Sequence, residues 1–135
     1  MNSKSILFCI LGIVFGEICL IVGTTFTQEL VFKGIHYNSS ASVIAFGGLL
    51  TFTAAIVSGH LARIVGRNYT ILIPSVLSTL IIMETAYLTF SNITADPVWF
   101  DVLSGIGLII GIWIGYHFIE IKDSFKGQQY YPDIP

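Results

Sequence analysis

An all-α membrane protein with four transmembrane helices and both termini on the cytoplasmic side is the fold class this sequence predicts. Three observations predict it. The first is charge: of 135 residues, 54% are hydrophobic and only 10% are charged, with mean hydropathy +0.83. Soluble domains carry roughly 25% charged residues, so this chain lacks the charge to cover a water-facing surface. The second is run length. Four apolar stretches, 6–26, 42–62, 70–90 and 98–119, reach the roughly 20 residues that a bilayer crossing takes. Their apolar residues come in runs without period two, which excludes a membrane barrel. The third is the side on which Lys and Arg fall. With the N-terminus inside, Lys4, Arg63, Arg67, Lys122 and Lys126 are cytoplasmic and only Lys33 is outside, as the positive-inside bias requires.

The whole chain, 1–135, then reads as one four-helix domain, with 120–135 as a loosely ordered cytoplasmic tail. The first stretch starts like a signal peptide, with Lys4 before an apolar run. It is long, carries Glu17 at its centre and lacks an A-x-A-like cleavage site, so it reads as a retained span. Its small residues Ser5, Cys9, Gly12, Gly16, Cys19 and Gly23 form one stripe. Cys9 and Cys19 lie about 15 Å apart along the helix, too far to bridge, and read as small apolar residues.

The second stretch has a stripe of its own: Gly48, Thr51, Ala55, Gly59, Ala62 and Gly66. The third carries Pro74 in its first turns, where a missing N–H costs least. Its Ser75, Ser78, Thr79 and Thr85 are set to bond either across helices or back to their own carbonyls. The fourth carries Ser104, Gly107, Gly111 and Gly115, a doubled GxxxG. Lipid tails are as apolar as leucine, so helices associate where small residues let backbones approach. The stripes predict a tight bundle, or a homodimer through the same kind of surface. Trp99, Phe100 and Tyr37 fall at the outer interface, and Tyr69 and Tyr116 at the inner one, where amphipathic rings prefer to lie. His36 reads as a lone solvated residue of the first outer loop.

Two glutamates interrupt the apolar runs: Glu17 in "FGEICLIVG" and Glu84 in "IIMETAYLTF". A carboxylate at mid-bilayer is costly, about 2.5 kcal/mol or more on an insertion scale. The first and third helices run the same way, so both acids fall in the outer-central bilayer at similar depth. Glu17 projects roughly 120° from the small stripe of its helix, at about 100° per residue. Two readings stay open. Each carboxyl is a neutral hydrogen-bonding group that holds helices in register, or the pair is a proton or cation site.

At the inner end, "GHLAR" sets His60 and Arg63 three apart on one face, and "YHFIE" does the same for His117 and Glu120. They read as a small polar cluster or as ordinary interfacial anchors. No metal site is expected, because no ligand spacing suits one. The sequence shows no nucleophile motif, no phosphate-cradling glycine loop and no basic patch for nucleic acid. No cofactor and no enzymatic activity are expected.

From "GHLARIVGRNYTILIPSVLSTLI" to "DPVWFDVLSGIGLIIGIWIG" the chain resembles a set of small bacterial four-helix membrane proteins. Those have a small-residue second helix ending in a basic turn (here Ala62, Arg63, Gly66 and Arg67). A Pro before a Trp (here Pro97 and Trp99) precedes their glycine-rich last helix. Many of them carry His before that Pro, where this chain has Asp96. The likeness spans roughly residues 45–118. It implies a bacterial inner-membrane location and this topology, and it transfers no activity. Small multidrug transporters also have four short helices and a glutamate in the first, as at Glu17. The longer first outer loop, the second acid Glu84 and the lack of a matching motif beyond the first helix set this chain apart from them. The expected role is structural or accessory, through helix packing with another membrane protein or a second copy. The alternative is proton- or cation-coupled transport through Glu17 and Glu84.

Overall fold

In the computed structural model, residues 3–66, 71–91 and 96–128 are described, with side chains through His117 in the last helix. They form α1 (Ser3–Thr25), α2 (Ala41–Gly66), α3 (Leu72–Phe90) and α4 (Val98–Gln128). No strand occurs among the described residues. All four helices are long and apolar enough to cross a membrane.

The first helix does not stop near residue 26. It runs on as a π-helical stretch, Phe26–Val31, so that the continuous span is Ser3–Val31. Phe32 donates back to the Thr27 carbonyl at 3.2 Å, and the Gly34 N–H reaches the Gln28 carbonyl at 2.7 Å. Lys33 and Gly34 have φ of 54° and 97°, and this left-handed pair turns the chain out of the helix, as helix C-termini commonly do. At the other end of the chain, α4 continues to Gln128 where a loose tail was expected from residue 120. Phe118, Ile121 and Phe125 recur there at helical spacing, and no proline intervenes before Pro132.

Around the bundle the helices follow the order α1, α2, α4, α3. Helix α2 packs most extensively, against α1 on one side and α4 on the other, whereas α1 and α3 close the ring loosely. The glycine stripes explain the difference. A Cβ on Gly12 would meet the Ala62 carbonyl oxygen at 2.7 Å, and one on Gly16 would meet the Ala62 Cβ at 2.9 Å. Between α2 and α4 the approach is closer still: a Cβ on Gly59 would collide with the Ile112 carbonyl, and one on Gly115 with the Ile56 carbonyl. Gly111 sits against Ala55 and Phe52. The core is correspondingly thin and rich in small or slender groups, such as Cys9, Ala55, Ala62, Leu77 and Ile112.

The stripes are not used over their whole length. Gly48 and Gly107 lie on them, yet a Cβ on either would meet nothing within 4 Å. Gly111 packs on Phe52 and Gly115 on Ile56; one turn earlier in both helices, the same register would pair Gly107 with Gly48, and there neither glycine is packed against.

The hydroxyls of α3 mostly bond back along their own helix. Ser75 donates to the Ile71 carbonyl at 2.6 Å, Ser78 to Pro74 at 2.7 Å and Thr79 to Ser75 at 2.9 Å. Pro74, in the first turn, leaves no interior donor missing. Other bonds cross between helices. Buried Ser58 donates to the Gly16 carbonyl at 2.6 Å, Trp113 Nε1 donates to Ser78 Oγ at 3.0 Å, and Arg63 Nη1 donates to the Tyr116 carbonyl at 2.7 Å.

Gly59→Ala or Gly115→Ala should lower stability by about 1–3 kcal/mol, the usual cost of overpacking a tight contact. Gly48→Ala and Gly107→Ala should stay within about 0.5 kcal/mol of the parent. Unfolding of the four variants in mixed detergent checks this directly.

Candidate functional site

Glu17 stands halfway along Ser3–Val31, and Glu84 is the thirteenth residue of α3, about 9 Å before its outer end. Each helix is apolar on both sides of its acid, so the local sequence keeps the helix going and simply carries the carboxyl into the span. Helices α1 and α3 are neighbours in the ring, and the two carboxyls lie close enough to act on each other electrostatically. Both acids lie on the two helices that form the loosely closed seam of the bundle.

The two acids differ in surroundings. Glu17 is half-buried, and its Oε2 is shut off from solvent with no hydrogen-bond partner among the described residues. Glu84 is exposed on the outside of the bundle. Around it the surface is apolar: Val14 and Ile21, each within about one turn of Glu17, and Tyr87, one turn from Glu84, are all exposed. Neither acid is placed against a basic side chain: among the described residues the one salt bridge is elsewhere.

Near the C-terminal end of α2, Arg63 is buried at 8% exposure. Besides its bond to the Tyr116 carbonyl, its guanidinium lies 5.5 Å from the centre of the Tyr116 ring, a cation–π distance. Tyr116 is itself only 3% exposed, so it is a core residue and not the interfacial anchor that its sequence position suggested. His117 packs edge-on to Tyr116 and stacks on Trp113. His60 is half-buried one turn before Arg63. Arg63 thus ties α2 to α4 through Tyr116. Arg67, Tyr69 and the side chains of Glu120, Lys122 and Lys126 lie outside the described residues.

The outer end holds a contact that the sequence reading missed. His36 is not alone. Its Nδ1 lies 3.3 Å from Asp96 Oδ2, while the Tyr37 N–H donates to Asp96 Oδ1 at 3.1 Å. The His36 side chain is 60% exposed but that of Asp96 only 8%, so the carboxylate is covered by the loop it holds. His36 N–H also donates to Ser39 Oγ at 3.0 Å, closing a tight turn. The visible signal was the Asp96-Pro97 pair at the start of α4. Its partner lies sixty residues earlier, beyond the reach of any local pattern.

Among the described residues no group of three His, Cys, Asp or Glu is arranged to hold a metal ion. Cys9 and Cys19 are free thiols, buried and half-buried. One concavity is an apolar groove of about 290 Å³ between the C-terminal half of α3 and the N-terminal half of α4, lined by residues that include Thr85, Thr89, Val102 and Ile106. Comparison with protein-family models, curated proteins and solved structures found no match to this chain. The resemblances drawn from its motifs therefore gain no support from them.

Asp96→Ala should free the first outer loop. Hydrogen exchange at the Tyr37 amide should quicken by about tenfold, the equivalent of one hydrogen bond to a charged group, while the amides of α2 keep their protection.

Proposed function

We propose that this protein is a non-enzymatic integral membrane protein of structural or accessory role, acting by lateral association with another membrane protein. It sits in the cytoplasmic membrane of a bacterium with both termini inside. The observation that carries the reading is Glu84, an ionisable side chain on the outward apolar face of a membrane-length helix, beside half-buried Glu17. An acid within a span almost always faces protein or water, not acyl chains. A face that bears one is therefore a face that something else covers. The glycine stripes, in contrast, are largely consumed within the chain at Gly12, Gly16, Gly59, Gly111 and Gly115, which moves the association surface away from them.

A second reading, proton- or cation-coupled transport, draws support from the unpartnered Oε2 of Glu17. The two readings separate on Glu17→Gln and Glu84→Gln in proteoliposomes. For an accessory protein, neither the parent nor either variant moves protons above the empty-vesicle rate. Flux in the parent that Glu17→Gln abolishes, with the fold intact, would establish transport instead.

Orientation has its own check. In a background with Cys9 and Cys19 replaced by alanine, a cysteine at Ser39 should react with an impermeant maleimide added to intact cells. One at Ser124 should react only after lysis. The reverse pattern would invert the topology.

A further inference from the structure

We infer that the α1–α3 face binds a transmembrane helix of a different protein, one that carries a basic side chain within its span. This rests on the lateral association proposed above and names the partner's chemistry. The face offers two carboxyls within electrostatic reach of each other, one exposed and one with a buried oxygen lacking a partner. Apolar side chains surround them at Val14, Ile21 and Tyr87. An occupant that suits this surface is apolar over most of its length and cationic at one point. Intramembrane acids and bases commonly satisfy each other in this way.

A second copy of the chain does not supply that cation. Lys4 lies at the first turn of α1, and Lys33 lies in the loop beyond its outer end. Arg63 is buried near the far end of α2 and is committed to the Tyr116 carbonyl and ring. Arg67, Lys122 and Lys126 follow the inner ends of the apolar stretches in sequence. A homodimer through this face would bring four carboxyls to the mid-membrane and no base, and like charges at that depth repel. A free inorganic cation is also a poor fit. Hard cations take six or more oxygen ligands, and among the described residues no third acid, His or Cys joins the pair.

The probe is a leucine-rich membrane-spanning peptide with one lysine at its centre, compared with the same peptide carrying leucine there. Energy transfer from the donor-labelled full chain to acceptor-labelled peptide is measured in phosphatidylcholine vesicles. The lysine peptide should bind about tenfold more tightly than the leucine peptide, within the range of polar interhelical contacts in lipid. Glu84→Gln should abolish most of that preference. Circular dichroism of the variant reports its fold separately, and Glu84 is exposed, so the conservative change to Gln leaves the core intact. Equal binding of the two peptides overturns the inference and leaves lateral association standing. Binding of neither overturns both. Transfer between two copies of the chain that Glu84→Gln alters would overturn it in favour of a homodimer.

Discussion

Backbone approach between α2 and its two neighbours is the constraint on which the rest of the structure depends. A single methylene at Gly12, Gly59 or Gly115 would strike the backbone of the facing helix. Contacts that close give many small dispersion terms, and they are what holds helices together where lipid removes the hydrophobic driving force. Because the backbones nearly touch, there is little room for large side chains between them. Alanines and a cysteine fill the closest approaches, and Leu20, Ile73, Leu77, Ile81, Ile112 and Tyr116 make up the rest of the core. Ser58 reaches the Gly16 carbonyl because the helices are near enough for a short hydroxyl to span the gap.

Helix α3 stands outside that arrangement. It has no small-residue stripe, it returns its hydroxyls to its own carbonyls, and it meets α1 loosely. Both intramembrane acids lie along this weakest edge of the ring. A tightly packed interface would have to desolvate the carboxyls fully or expel them. The loose one tolerates Glu17 half-buried and leaves Glu84 at the surface. Helix α3 enters the core through Ile73, Leu77 and Ile81, and with α1 it frames a polar feature in an apolar wall.

Much of this was legible in the residues. Run length and charge scarcity give four membrane-length helices, since they depend only on local composition. The stripes at Gly12, Gly16, Gly59, Gly111 and Gly115 also anticipate close packing. What was not legible depends on relative placement. The open space at Gly48 and Gly107 depends on how α2 and α4 are placed against each other, which no spacing encodes. Tyr116 resembles an interface ring until Arg63 is brought over it. His36 looked solvated because Asp96 is remote in sequence. Glu17 and Glu84 were matched in depth by counting residues, yet only the order of helices around the ring makes their helices neighbours. The extension of α4 to Gln128 is hidden in the sequence because Glu120, Lys122, Asp123 and Lys126 interrupt the apolar run within which Phe118, Ile121 and Phe125 keep helical spacing.

The two ties between the first and second helical hairpins bear on how anything reaches the acids. Asp96 fastens the loop after α1 to the start of α4 at one end, and Arg63 fastens α2 to the Tyr116 carbonyl of α4 at the other. The hairpins are thus latched at both rims of the bundle. Between the latches, the α1–α3 edge is the side that stays ajar, and it faces sideways. On the reading proposed above, a partner for the acids would therefore come from the flank, through the bilayer, and not past a latched end.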